Sequence, residues 1–280
     1  MKKSYIKLIK KINPKVVLFN YKPTEVKALL NSICKEYKIP TVNLQHGIIS
    51  EASVEMKTGR TNLDVFPDYL FSFGERLTDY NNTTYNETNI KYIGHPYLEN
   101  KSKTEVLRPD FMKVNYKYIL IVSQEVIGEQ FANFTSELAE KLLEYSEYKI
   151  IFKYHPAEYH RDYKQLKKDN IIEMKNLEYD IYTIQKYSYV QVGVYSTGLY
   201  EGIIFNLPTV VISSLYGASD TISTLSFMRN GFYTVKNVDE LVELIKSKKL
   251  KHPNEEDVDK IWKSNSYNNL LADIKEILNK

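Results

Sequence analysis

Three short stretches hold the side chains whose types and spacing can do chemistry. Tyr195-Ser196-Thr197-Gly198 is a small polar elbow after the apolar run Val190 to Val194, and Leu199 to Phe205 behind it reads as a helix. Ser196 and Thr197 fall at that helix's N-terminus, where free N–H groups and the dipole favour an anion such as a diphosphate. Glu201, one turn on, is within reach of a neutral polar partner such as a ribose diol. The plainer alternative makes Ser196 an N-cap and Glu201 a first-turn charge. Lys153-Tyr154-His155-Pro156 ends a second run, Lys149 to Tyr154, and His155 precedes Ser196 by 41 positions. Gln45-His46-Gly47 follows a third, Val42 to Leu44. His46 is the general-base candidate there, because an imidazole titrates near neutrality. A turn histidine bonded to backbone is the alternative. Glu51, just beyond on the same loop, is the reserve base.

These stretches need strands to present them. β-branched runs at 15–19, 42–44, 69–73, 90–93, 116–122, 149–154, 171–174, 190–194, 209–213 and 232–235 alternate with helical patterns such as 24–37, 129–145 and 238–246. Alternating strands and helices imply parallel sheets, and ligands of such sheets bind beyond the carboxyl ends of the strands. Gln45, His46, Gly47, Ser123, Gln124, His155 and Ser196 all follow a strand at that edge. Charged residues and Pro109 make 101–115 the candidate linker. The expected organisation is therefore 1–100, a linker, and 116–280 with a helical tail.

The pair KYHP and YSTGLYEG resembles the His-Pro and Ser-Ser/Ser-Thr motifs in the donor half of bacterial GT-B glycosyltransferases of capsule and surface polysaccharide synthesis. The likeness is to sialyl- and polysialyltransferases and CDP-glycerol glycerophosphotransferases. It spans residues 117–245 and, more loosely, 40–98. Gln45-His46-Gly47 is similar to the acceptor-side motif of such enzymes, and Gly94-His95-Pro96 to the exit from their first domain. The resemblance implies two Rossmann-like domains facing a cleft, the N-terminal acceptor-side domain shortened and the C-terminal domain binding the nucleotide donor. Lys153, His155, Pro156, Tyr195, Ser196, Thr197, Gly198 and Glu201 would meet a CMP-, CDP- or UDP-linked donor. The acceptor would be a polysaccharide or lipid-linked glycan.

GxxxxGK, GxGxxG, HExxH and CxxC motifs are absent, and the single Asp-x-Asp, Asp257-Val258-Asp259, reads as a solvated helical face. A metal-independent transferase without cofactor is therefore expected, with Lys153, His155 and the helix N-terminus stabilising the leaving phosphate. Two other classes stay open: a nucleotide-sugar 2-epimerase-like isomerase, and a non-catalytic nucleotide-binding homologue. A net charge of +3 is too small to argue for nucleic acid. One cysteine, Cys34, excludes a disulfide framework, and no leader or spanning segment opens the chain, so a cytoplasmic protein is expected. Residues 1–13 place apolar Tyr5, Leu8, Ile9 and Ile12 on one helical stripe opposite lysines. This pattern is either a surface helix or a peripheral contact with the inner face of the membrane.

Overall fold

The computed structural model describes residues 1–20, 24–49, 66–78, 85–175 and 179–279. The chain forms two compact units, 1–99 with 259–280, and 100–258. Each is built on a parallel sheet, of four and six strands among the described residues.

In the first unit the strands are β1 (Val17–Asn20), β2 (Thr41–Leu44), β3 (Tyr69–Ser72) and β4 (Ile90–Tyr92), in the order β1-β2-β3-β4. Register places Val17, Phe19, Leu70 and Ile90 on one face, and Val42, Leu44 and Phe71 on the other. Helix α1 (Lys2–Ile12) packs on α2 (Glu25–Glu36), whose Leu30 meets Val17 on the first face. The second face is covered by the tail. Leu270, Ile274 and Ile277 of α10 (Ser266–Leu278) lie against Val42, Phe71 and Ile93, and Lys91 pairs with Glu276 at 3.1 Å. Glu99, on α3 (Pro96–Lys103), accepts from Ser266 N at 2.7 Å and Asn265 N at 3.1 Å, so a carboxylate sits on the N-terminus of α10. Trp262 is buried against Phe73, with ring centroids 5.2 Å apart. The tail expected with the 116–280 domain therefore belongs to the first unit, because its apolar stripe matches the open face of β2–β4.

The second unit contains β5 (Lys117–Val122), β6 (Tyr148–Lys153), β7 (Ile171–Met174), β8 (Val190–Gly193), β9 (Thr209–Ile212) and β10 (Phe232–Val235). Their order is β10-β9-β8-β5-β6-β7, the doubly wound arrangement. Residues Tyr118 to Val122 are all buried, so both faces of the central strand are covered. One cover is α4 (Gly128–Lys141), through Phe131, Ala132, Leu138 and Ala139, and α8 (Val238–Lys246) adds Leu241 and Ile245 to the same core. Other helices are α5 (Ile181–Tyr187), α6 (Thr197–Glu201), α7 (Ala218–Leu225) and, in the connection to the first unit, α9 (Glu255–Ile261).

Residues 101–115, expected as a linker, are bound along the second unit. Lys101 pairs with Asp180 at 2.9 Å, Lys186 Nζ donates to Ser102 O and Thr104 O, and Arg108 lies 4.7 Å over the Tyr187 ring. Asp257, expected on a solvated face, is buried and accepts from Arg229 N at 3.0 Å and Asn254 Nδ2 at 3.1 Å. Single 3₁₀ turns lie at Glu75–Leu77 and Lys164–Leu166.

Candidate functional site

The chain enters the second sheet at β5, winds outward through β6 and β7, then returns to β8 on the other side. The sheet therefore reverses between β5 and β8, which opens a crevice beyond their carboxyl ends. A cavity of about 250 Å³ lies in this unit, lined by Val122 and Ser123 at the end of β5, Lys153 to Pro156 at the end of β6, and Ser196 after β8. Tyr159, Tyr179, Asp180 and Ile181 complete its wall.

A buried carboxyl group holds the β5 and β6 ends together. Glu158 is 0% exposed. Its Oε1 accepts from Ser123 Oγ at 3.1 Å and Tyr163 OH at 2.8 Å, and its Oε2 from His155 N at 2.9 Å. His155 caps the same 3₁₀ turn, Pro156–Glu158, its Nδ1 accepting from Ala157 N at 3.3 Å. That is a capping box with histidine in the Ser/Thr place. The occupied Nδ1 puts the proton of the neutral ring on Nε2, leaving a donor at the cavity that His155 lines. Gly128 faces this network, and a Cβ there would run into the Glu158 carboxyl and the Tyr163 hydroxyl. Gly128→Ala should therefore lower stability by about 3 kcal/mol, read as the midpoint of urea unfolding. An unchanged midpoint would mean that the network can yield.

Lys153 is 7% exposed. Its Nζ donates to the Tyr159 hydroxyl at 3.1 Å and Tyr154 O at 3.4 Å, and lies 5.2 Å from the Tyr159 ring centroid. Among the described residues no carboxylate lies within ion-pair distance of it. Asp180, the acidic group of the wall, is already engaged by Lys101 and by Thr183 N and Oγ1, each at 2.8 Å. Burial raises the Asp180 pKa, but Lys101 and Thr183 together outweigh it and hold the carboxyl below its ordinary range. The cavity thus keeps one uncompensated positive charge beside an imidazole N–H and a serine hydroxyl.

Of the donor-side residues singled out in the sequence, Lys153, His155, Pro156 and Ser196 line this cavity, as does Ser123. Tyr195, Thr197, Gly198, Glu201 and Gln124 are not among its walls. Gly198 backs it instead, since a Cβ would press on Ile181 at 3.1 Å. Burial pushes the Glu201 carboxyl up, opposed by a hydrogen bond from Tyr182. α6 spans only five residues before a 3₁₀ turn at Gly202–Phe205, and Ser196 makes no side-chain cap. The expected helix-dipole contribution is thereby reduced, and Lys153 and His155 are the cationic and imidazole groups of the cavity wall.

In the first unit His46 is exposed at the carboxyl end of β2, followed by Gly47, and Glu51 lies outside the described residues. Gln45 is structural. Its Nε2 donates to Gly47 O at 2.8 Å and Leu77 O at 2.7 Å, while its Oε1 accepts from Ser72 Oγ at 2.9 Å and Phe73 N at 2.8 Å. His95 stacks on Phe73 with centroids 4.7 Å apart and caps α3 by accepting from Leu98 N at 3.3 Å. Burial pushes its imidazole down, so it is neutral near pH 7. The two His-Pro motifs thus share capping geometry, and the second one borders the cavity.

Sequence reasoning missed Glu158, Asp180, Tyr159 and Tyr179. The pattern His155-Pro156-x-Glu158 carried a readable signal, a capping box with its two partners three positions apart. It also missed buried Gln191, whose Nε2 donates to Leu199 O at 2.6 Å and Thr209 Oγ1 at 2.8 Å and so fixes α6 to β8 and β9.

No protein-family model matches the chain, and no curated protein matches it. Solved structures do. The UDP-GlcNAc 2-epimerase of Methanocaldococcus jannaschii is 13% identical with a TM-score of 0.69, covering 98% of this chain and 80% of its own. The Neisseria meningitidis UDP-GlcNAc 2-epimerase bound to UDP-GlcNAc is 15% identical with a TM-score of 0.65, covering 99% and 79%. The wall teichoic acid polymerase TagF soaked with CDPG is 13% identical with a TM-score of 0.58, covering 95% and 72%. The fold is GT-B-like. These identities speak to the fold alone, and the activity has to be argued from the site. Among the described residues no group of three or more His, Cys, Asp or Glu is placed to hold a metal ion.

Proposed function

We propose that the second unit binds the phosphate of a nucleotide-activated sugar and that the protein is a glycosyltransferase using that donor. The observation that carries the reading is Lys153, a buried ammonium without a carboxylate partner among the described residues. A buried charge destabilises a fold by several kcal/mol unless an opposite charge meets it, and a phosphate supplies one (~1–2 negative charges). Lys153 and His155 would contact phosphate oxygens and neutralise the charge that develops as the sugar–phosphate bond breaks. Ser196 adds a hydroxyl donor, Glu201 is assigned to the ribose, and His46 to the acceptor hydroxyl as general base. UDP-GlcNAc and CDPG, the ligands named for the similar structures, support CMP-, CDP- and UDP-linked compounds as the class to try. The acceptor class remains a surface polysaccharide or lipid-linked glycan.

Melting the protein with nucleosides, nucleoside monophosphates and nucleoside diphosphates tests this. A ligand at a hundred times its Kd adds about 2.7 kcal/mol, roughly 5–10 °C for a domain of this size. Stabilisation should appear with the phosphate and be missing with the bare nucleoside. No shift with any millimolar nucleotide would defeat the reading. The epimerases among the similar folds favour a second reading, isomerisation at the sugar's C2. Inverting that carbon breaks its C–H bond, so solvent deuterium in the recovered sugar marks isomerisation. Acceptor-dependent release of nucleotide marks transfer. Binding without turnover marks a non-catalytic protein.

A further inference from the structure

We propose that α1 docks this protein onto an anionic lipid surface. Met1 to Lys15 contains six lysines and no acidic residue, in a chain whose net charge is only +3. The single apolar stripe expected over residues 5, 8, 9 and 12 is divided in the structure. Tyr5, Ile6 and Ile9 pack against Leu29, Leu30, Ile33 and Cys34. Leu8 is 44% exposed, Ile12 60% and Met1 77%. At about 100° per residue, positions 1, 8 and 12 fall within roughly 40° of one another and make a ridge along the helix. Lys11 lies about 60° round the helix from Leu8, and Lys7 and Lys3, one and two turns back, continue that row round the exposed side. Lys2 is engaged by Glu36 at 2.6 Å, and Lys10 lies over the Tyr37 ring, but Lys3, Lys7, Lys11 and Lys15 have no acidic partner among the described residues.

The first unit thus holds α1 by one stripe and leaves a second apolar ridge, with a lysine row on its exposed side, that folding does not use. A helix of this kind lies in the plane of a membrane interface, apolar ridge among the acyl chains and lysines at the headgroups. Charge complementarity selects the anionic bilayer, and the ridge selects it over other polyanions. Nucleic acid or an acidic protein would use the lysines and leave Leu8 and Ile12 in water. No described helix is long and apolar enough to cross a membrane, so the contact is one of resting on the surface.

Sedimentation of the full chain with vesicles provides the test, in phosphatidylglycerol/phosphatidylcholine mixtures against phosphatidylcholine alone. Binding should need the anionic lipid and weaken with salt. Leu8→Ser with Ile12→Ser should lower the partition constant at least tenfold. Lys3→Gln, Lys7→Gln and Lys11→Gln together should lower it roughly a hundredfold, and the three arginine replacements should restore it. All five positions are exposed, so an unchanged melting temperature certifies each variant's fold. Equal binding to neutral vesicles overturns the proposal. So does a double serine variant that binds like the wild type, because the lysines alone would then be a polyanion site.

Discussion

Replacing Lys153 with methionine should weaken binding of a nucleoside diphosphate about a hundredfold and leave the empty protein at least as stable. The two effects have one cause. The ammonium is 7% exposed and its hydrogen bonds go to a hydroxyl and a carbonyl, so in the empty protein its desolvation is only partly offset. Methionine has a similar length and no charge, and replacing buried charge with apolar volume is often neutral or stabilising by about 1–4 kcal/mol. A phosphate bound to Lys153 makes a charge-assisted hydrogen bond, worth about 1.5–3 kcal/mol, which the methionine cannot make. Calorimetric titration reads the first effect and urea unfolding the second. A variant that loses stability while binding nucleotide normally would show that Lys153 is a structural residue held by Tyr159, and the phosphate site would have to lie elsewhere.

Glu158→Ala should destabilise the second unit by about 4 kcal/mol and Glu158→Gln by about 2 kcal/mol. Alanine leaves three donors without this acceptor: the buried Ser123 and Tyr163 hydroxyls and the half-buried His155 N. Glutamine keeps the volume but turns one of the two accepting oxygens into an NH₂ group that faces donors. The hydroxyls can rotate in response and the backbone N–H cannot, which sets the order of the two variants. Urea unfolding of both checks it. Equal stability for wild type and Glu158→Ala would mean that the β5 and β6 ends are held by the sheet alone.

Burial made most of the fold legible in the sequence. Strands β5, β6, β8 and β9 are covered on both faces, so they read as continuous apolar runs, and the polar residues at their ends stand out. Lys153, His155 and Ser196 were visible for that reason. What stayed hidden depends on partners far along the chain. Asp257 read as a solvated charge, because nothing local says that the Arg229 backbone will reach it. α6 was expected to run to Phe205 but passes into a 3₁₀ turn at Gly202, where the backbone lies against the buried Gln191 side chain. The helical tail was visible as a helix, but its assignment to the first sheet depends on Val42, Phe71 and Ile93, far back in the chain. Leu8 and Ile12 fit the helical period as well as Ile9 does, yet Ile9 packs against α2 and they stay outside.

The return of residues 259–279 to the first sheet has a consequence for synthesis on the ribosome. The second unit is one uninterrupted segment, 100–258, and all its strands have been made before the tail begins. Val42, Phe71 and Ile93, translated long before, pack against Leu270, Ile274 and Ile277, which emerge last. The usual order, in which the N-terminal domain finishes first, is reversed here. The earlier half of the nascent chain must keep an apolar sheet face open while the later half folds.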